Sequence, residues 1–142
     1  MQRTARIEAS PAEVYAFLSE PANLPRWQAG IVSAERTSPS PTVNGSTARV
    51  VLELMGQRVA ADIKVREADA HRRLVLATSV SGIAIVATIE LAAQDGGTEV
   101  TLSSEVRAEN IFMKPIEGMV TDAAERDLDA SLVRLQAAIA AP

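Results

Sequence analysis

The chain has 142 residues, of which 47% are hydrophobic, so it is long enough for one domain with a complete core and too short for two, and residues 1–142 are predicted to form a single domain. The formal net charge is −4 and the 14 Lys and Arg residues are dispersed, which argues against nucleic acid as a partner and against a basic surface for anionic lipid headgroups. Cysteine is absent, which excludes disulfides, thiol nucleophiles and cysteine-ligated metals.

The N-terminal residues Met-Gln-Arg-Thr-Ala-Arg lack the apolar run of a secretory signal. No later segment approaches the roughly 20 consecutive apolar residues that a membrane-spanning helix needs. A cytoplasmic protein without stable membrane insertion is therefore the expectation.

A capped helix is predicted shortly after the first strand. Ser10 and Glu13 form a capping box, in which each side chain accepts a hydrogen bond from a backbone N–H that the first helical turn leaves unpaired. Pro11 lies at the first helical position, where its missing N–H costs nothing. Pro21 and Pro25 each remove a donor and restrain the preceding residue, so they end this helix and leave room only for another short helical turn.

The segment of residues 7–27, which ends in Trp27, resembles the opening of the polyketide cyclase/dehydrase and lipid-transfer superfamily. Its START-like members, also called SRPBCC or helix-grip proteins, begin with a strand, a helix headed by Ser and Pro, and the pattern Asp-Pro-x-x-(Leu)-x-x-Trp. This chain has Glu20 where an Asp is common. The superfamily includes cyclases, hydroxynitrile- and lipid-binding proteins, chaperone activators and ubiquinone-binding proteins, so the resemblance implies a helix-grip fold and does not single out an activity.

The region from about residue 30 to residue 109 alternates apolar and polar residues with a period of two, interrupted by short turn clusters. With the segments 4–8 and 31–36, this pattern predicts about seven strands. One apolar face, one polar face and short connections indicate an antiparallel sheet that is covered on one side only.

The C-terminal residues from about 115 to 140 repeat apolar side chains at helical spacing, which predicts one long helix. Strands grouped together, with helices towards the two ends of the chain, give an α+β architecture in which the sheet curls around this last helix. Asp127 falls on the same helical line as Ile116, Val120 and Ala123. It is either a solvated or salt-bridged carboxylate, or a polar group that reaches the edge of a pocket.

Residues that commonly carry catalysis are few. His71, the single histidine, lies in a predicted hairpin turn and is expected to be solvated. No serine lies on a nucleophile-elbow sequence. Gly96 and Gly97 form a turn and not a phosphate-binding loop, because no helix follows them. The sequence therefore predicts no catalytic residue, no metal site and no cofactor.

The inner face of the predicted sheet is aliphatic, with a few hydroxyls such as Thr78, Thr88 and Ser104. Such a face is either a plain core or the lining of an apolar cavity. Small residues such as Ala61 and Ala87 leave volume between sheet and helix unless the helix closes on them, and protein interiors rarely tolerate large voids. Together with the resemblance, these small residues favour a cavity.

The resemblance also implies where the mouth of the cavity lies. In helix-grip proteins it is near the start of the last helix, which here corresponds to residues 111–115 and the region of Trp27. Phe112 and Met113 are apolar residues of a predicted loop that either gate the cavity or pack beneath the loop. Trp27 is either a structural anchor or a stacking platform at the rim.

The leading hypothesis is non-catalytic binding of a small apolar or amphipathic molecule, lipid or polyketide-like, in an internal cavity. One alternative is a polyketide cyclase/dehydratase-type enzyme in which Asp127, Tyr15 or a serine transfers protons. A further alternative is a protein-interaction module that docks a partner through the outer face of the sheet or through the helix. The predicted ligand-binding residues are Trp27, Val50, Leu52, Ile63, Leu76, Ile85, Ala87, Leu102, Phe112, Ile116 and Met119.

Overall fold

The structure is a computed structural model that describes residues 2–54 and 56–140. No helix within these two ranges is long and apolar enough to cross a membrane. The helices are α1 (Pro11–Leu18), α2 (Leu24–Trp27) and α3 (Glu117–Ala140), with 3-10 turns at Pro21–Asn23 and Lys114–Ile116. The strands are β1 (Gln2–Ile7), β2 (Ile31–Arg36), β3 (Thr47–Leu54), β4 (Gln57–Asp69), β5 (Arg73–Val80), β6 (Ile83–Gln94) and β7 (Gly97–Ala108).

The described residues form one curved, antiparallel sheet of seven strands in the order β1-β7-β6-β5-β4-β3-β2. Strands β2 to β6 each pair with the next strand in the chain, and β1 pairs with β7. The α1 and α2 segment carries the chain from one edge of the sheet to the other. This arrangement, with the long C-terminal helix, confirms the predicted α+β helix-grip fold and its two short helices after the first strand.

The turn between β6 and β7 shows why these strands pair without a long connection. Asp95 has φ 44° and Gly96 has φ 82°, so both central residues are in the left-handed region. Type I′ hairpin turns require this conformation, because their twist matches the right-handed twist of the flanking strands. The predicted turn at this position is therefore a tight hairpin.

At the start of α1, one of the two hydrogen bonds of the predicted capping box is formed. The Ser10 hydroxyl oxygen accepts a hydrogen bond from the Glu13 backbone N–H at 3.2 Å. The Glu13 carboxylate accepts a hydrogen bond from the Ser10 hydroxyl, at 3.1 Å, and not from the Ser10 backbone N–H. One unpaired donor of the first turn is thus satisfied by the cap, while the predicted reciprocal bond is replaced by a contact between the two side chains.

Helix α3 covers the inner face of the sheet and packs against β7, β1 and α2. Hydrogen bonds hold it at its C-terminal half. Among them, Gln136 Nε2 donates to the Arg6 carbonyl at 3.0 Å, and Arg134 Nη2 donates to the Pro25 carbonyl at 2.7 Å. The buried side chains of α3 are Val120, Leu128, Ser131, Leu132 and Leu135.

The beginning of α3 differs from the prediction. The helix starts at Glu117, and Pro115 belongs to the preceding 3-10 turn. The Glu117 carboxylate accepts a hydrogen bond from the Ala108 backbone N–H at 2.7 Å, which ties the helix start to the end of β7. Met119 is 55% exposed, so the buried stripe begins at Val120.

Leu135→Ala is expected to lower the free energy of unfolding by about 2–5 kcal/mol, because the side chain is 0% exposed between α3 and the sheet and its surroundings collapse only partly into the gap. Val133→Ala is the matched control on the same helix, where the side chain is 66% exposed, and is expected to change that free energy by less than about 0.5 kcal/mol. Urea denaturation measures both variants. Similar losses for the two would contradict the orientation of α3.

Candidate ligand-binding cavity

A cavity of about 120 Å³ lies between the inner face of the sheet, the segment that joins α2 to β2, and the middle of α3. The helical side of its wall consists of Trp27, Gln28, Ala29, Gly30, Ile31, Ala124, Asp127, Leu128 and Ser131. The sheet side consists of Leu52, Glu53, Leu54, Ile63, Leu76, Ala77, Thr78, Ile85, Ala87, Thr88, Ile89, Leu102, Ser103 and Ser104.

Small side chains create the space. In the strand register, Ala87 of β6 lies between Leu76 of β5 and Ser104 of β7. On the helical side, the wall includes Ala124 of α3. Larger side chains at these positions would meet in the middle, as side chains do in a close-packed interior. The cavity is therefore a consequence of which small residues the fold brings together.

The volume sets the size of the group that fits. An engineered protein cavity of about 150 Å³ lined by aliphatic side chains stays dry and binds benzene. A cavity of about 120 Å³ with mostly aliphatic walls is close to that size. One ring-sized apolar group therefore fits the cavity as it stands, and a larger molecule requires the walls to move apart.

Asp127 is the carboxyl group that α3 contributes to the wall. A Cβ atom at Gly30 would lie 3.1 Å from Asp127 Oδ2, and Gly30 itself has φ +93°, so both the backbone and the adjacent carboxyl favour glycine there. Within the described ranges, no side chain or backbone group hydrogen-bonds or ion-pairs with the Asp127 carboxyl. Glu53, the other acidic residue of the wall, is exposed and lies 3.9 Å from Arg58 Nε.

Partial burial raises the pKa of the Asp127 carboxyl above its ordinary value, and the neighbouring Arg126 guanidinium opposes this shift. The cause is desolvation, because the charged form loses water contacts and gains no hydrogen bond from the described residues. The folded protein therefore holds a proton on Asp127 to a higher pH than the unfolded chain does.

The last residue of α2 and the residue after it contribute two more unsatisfied polar atoms. Trp27 Nε1, a donor, and Gln28 Oε1, an acceptor, are buried without a hydrogen-bond partner in the described part of the chain. A buried polar group left unpaired costs about 1–3 kcal/mol. The adjacent Ala29 N–H is satisfied by Ser131 Oγ at 2.9 Å, which ties this segment to α3.

The charge of the wall is one-sided. None of the wall residues in the two described ranges is Lys, Arg or His, whereas Asp127 and Glu53 are acidic. Across residues 2–54 and 56–140, no group of three or more His, Cys, Asp and Glu side chains is arranged to hold a metal ion. The wall thus combines aliphatic surface, a few hydroxyls and one half-buried carboxyl.

A family model described as polyketide cyclase / dehydrase and lipid transport matches residues 1–140. The chain belongs to this family. The resemblance inferred from residues 7–27 is thereby confirmed and extends over nearly the whole sequence. No curated protein matches the chain at a significant level.

Solved structures share the fold of this polyketide cyclase/dehydrase and lipid transport family member at low sequence identity. TTHA0849 from Thermus thermophilus gives a TM-score of 0.80 at 19% identity, covering 99% of this chain and 97% of that one. A START superfamily protein from Mycobacterium smegmatis gives 0.79 at 15% identity, covering 98% and 95%. The di-domain ARO/CYC BexL of the BE-7585A biosynthetic pathway gives 0.74 at 18% identity, covering 96% of this chain and 44% of that one. At such identities the likeness shows the fold alone.

The structure brings seven of the predicted ligand-binding residues into the cavity wall and leaves four outside it. Those in the wall are Trp27, Leu52, Ile63, Leu76, Ile85, Ala87 and Leu102. Val50 is buried in the core, away from the wall, and Ile116 is half-buried in the 3-10 turn before α3. Phe112 and Met119 are 87% and 55% exposed. That the wall residues bind a ligand in this family member stays a prediction.

The loop before α3 explains the position of Phe112. Asn110 Oδ1 accepts hydrogen bonds from the backbone N–H groups of Phe112 and Met113, at 3.0 and 3.1 Å, which forms a local turn. Met113 packs on Gly82, where an added Cβ would lie 2.7 Å from Met113 Cγ. Of the two apolar loop residues, Met113 therefore packs against the fold and Phe112 faces solvent.

Of the other candidates for proton transfer, Ser103, Ser104 and Ser131 lie in the wall, whereas Tyr15 lies away from it. Tyr15 packs edge-to-face on His71 with ring centroids 5.8 Å apart, and neither residue belongs to the wall. Burial, with a smaller contribution from the Asp69 carboxylate, raises the pKa of the Tyr15 hydroxyl. His71 is exposed, as expected, although its ring also covers Tyr15.

Sequence reasoning missed the segment from Gln28 to Ile31 and the α3 residues Ala124, Leu128 and Ser131 as wall residues. Leu128 carried a usable signal, because it belongs to the apolar stripe of the last helix. For Gln28, Ala29 and Gly30 there was little signal, since a connection between two elements has no periodicity that shows which way it faces.

Asp127→Asn is expected to stabilise the protein near neutral pH, with the advantage shrinking as the pH falls. The folded state binds more protons than the unfolded state between the unfolded pKa of about 3.9 and the raised folded pKa, so the stability of the native protein falls as pH rises through that window. The neutral amide removes this penalty. Urea denaturation at about pH 7.5 and about pH 4 measures it.

The control is Asp122→Asn, which changes an exposed carboxylate on the same helix. An advantage of Asp127→Asn that is the same at both pH values, or a loss of stability at the higher pH, would contradict the assigned environment of Asp127.

Proposed function

We propose that the protein binds one small apolar or amphipathic molecule in the cavity between the sheet and α3, without altering it chemically. The observation that carries the proposal is a cavity of about 120 Å³ with predominantly aliphatic walls. Burial of apolar ligand surface against such walls contributes about 25 cal/mol per Å². The few polar wall groups would orient the molecule, as they do in most small-molecule sites.

The family and the fold support this proposal at a coarser level. The family description includes lipid transport. We also propose that the whole chain acts as one ligand-binding domain, because the sheet that forms the cavity runs from Gln2 to Ala108 and α3 completes the wall.

A polyketide cyclase- or dehydratase-type enzyme is the second candidate, and Asp127 favours it. A half-buried carboxyl with a raised pKa is suited to proton transfer at moderate pH. One solved structure with the same fold, BexL, is a di-domain ARO/CYC of a biosynthetic pathway. Recovery of a bound molecule unchanged after prolonged incubation supports binding, whereas a change in its mass supports the enzyme.

A protein-interaction module is not favoured. That alternative calls for an exposed apolar patch over a solid interior. The interior of the described residues instead contains a cavity, and the exposed large apolar side chains are spread over β2, two loops and α3: Val32, Val43, Ile111, Phe112, Met119 and Val133.

Ala87→Leu is expected to weaken the binding of toluene by about tenfold or more, because the larger side chain occupies the volume that a ring-sized guest needs. Toluene is a suitable probe because it has the size of the cavity and no polar group. NMR titration of the methyl signals of wall residues such as Ile63 and Leu102 measures the affinity.

Ala92→Leu is the matched control, since Ala92 lies on the same strand with an exposed side chain, and it should leave toluene binding unchanged. Toluene that does not bind the wild-type protein, or that binds Ala87→Leu equally well, would overturn the proposed cavity function.

A further inference from the structure

One end of the cavity has a polar character that the aliphatic walls do not explain. The Asp127 carboxyl lies there beside Gly30, half-buried and without a hydrogen-bond or ion-pair partner among residues 2–54 and 56–140. A native protein tolerates unsatisfied groups of this kind where a ligand or water completes them.

The charges of the wall exclude one class of ligand. A carboxylate or phosphate head needs a positive partner or several donors when it leaves water, and no described wall residue is Lys, Arg or His. The Asp127 carboxylate adds like-charge repulsion. Anionic amphiphiles such as fatty acids are therefore poor guests for this cavity.

The Asp127 carboxyl also indicates which polar group of a ligand can bind here in place of an anionic head. An ionised carboxylate only accepts hydrogen bonds, and a protonated one still has an accepting oxygen, so in both states the group can receive an O–H donor. An ammonium head fits less well, because it would lose its hydration shell for one half-buried carboxyl in a mostly aliphatic wall, where the second acidic residue, Glu53, is exposed. An uncharged hydroxyl is the donor that costs least to desolvate.

We propose that the cavity selects an uncharged, ring-sized alcohol or phenol whose hydroxyl donates a hydrogen bond to Asp127, and that it rejects carboxylates. This proposal rests on the proposed function, since it specifies the ligand class of the same cavity. Phenol, toluene, benzoate and benzylamine are a matched probe set, because all four carry one six-membered ring and differ in the group attached to it.

The test compares these four probes on the wild-type protein and on Asp127→Leu at about pH 7.5, by NMR titration of the wall methyl signals. Asp127→Leu is expected to weaken the binding of phenol by about tenfold, the order of magnitude for a lost hydrogen bond to a carboxyl group, while toluene binds equally well or more tightly. On the wild-type protein, benzoate and benzylamine are expected to bind at least about tenfold more weakly than phenol. Asp122→Leu, which changes an exposed carboxylate of the same helix, should leave all four affinities unchanged.

The outcomes separate the two proposals. If toluene fails to bind the wild-type protein, the cavity function itself is wrong. If toluene binds but Asp127→Leu leaves the ratio of phenol to toluene affinity unchanged, or if benzoate or benzylamine binds as tightly as phenol, then only the assignment of the ligand class is overturned.

Discussion

The packing of a single helix, α3, against the inner face of the sheet determines where this molecule is solid and where it is hollow. The sheet has one apolar face, and α3 is the long element that covers it. Towards the C-terminal half of α3, large side chains such as Leu132 and Leu135 fill the interface. Near Ala124, the helix faces the small side chains of Ala87 and Ser104 across the cavity, and the space between helix and sheet stays open. The change from large to small side chains along the interface between α3 and the sheet therefore determines where the core ends and the cavity begins.

The polar groups at the cavity are costly to the folded protein in the absence of a ligand. The carboxyl of Asp127 loses hydration without gaining a partner from the described residues, and Trp27 Nε1 and Gln28 Oε1 are unpaired. Replacing such groups by apolar ones is commonly neutral or stabilising. A half-buried carboxyl without a partner among the described residues, in a mostly aliphatic wall, is what a site for an amphipathic guest requires, since the guest supplies the missing hydrogen bond to Asp127 when it binds.

Much of the fold could be predicted from local signals, and the cavity only in part. The cap at Ser10, the prolines at 21 and 25 and the period-two pattern act within a few residues, so they indicate the elements directly. Strand parity also indicates which side chains face inward, which is why residues such as Ile63 and Leu102 reach the wall. The placement of Phe112 and of the Gln28–Gly30 stretch depends on turn geometry and long-range packing, which no periodicity encodes. The helical spacing of Asp127 is consistent both with a solvated carboxylate and with a polar group at the edge of a pocket. Only the position of α3 on the sheet decides between these two environments.

The central claim is that the space between α3 and the sheet is a mostly aliphatic cavity that stays dry away from the Asp127 carboxyl. Xenon occupies such voids because its binding depends on volume and dispersion contacts alone. Crystals of the protein pressurised with xenon should show one strong site bounded by Ala87, Leu102 and Leu128, without a shift of α3. A cavity that takes up no xenon, or that is filled by ordered water, would contradict the account.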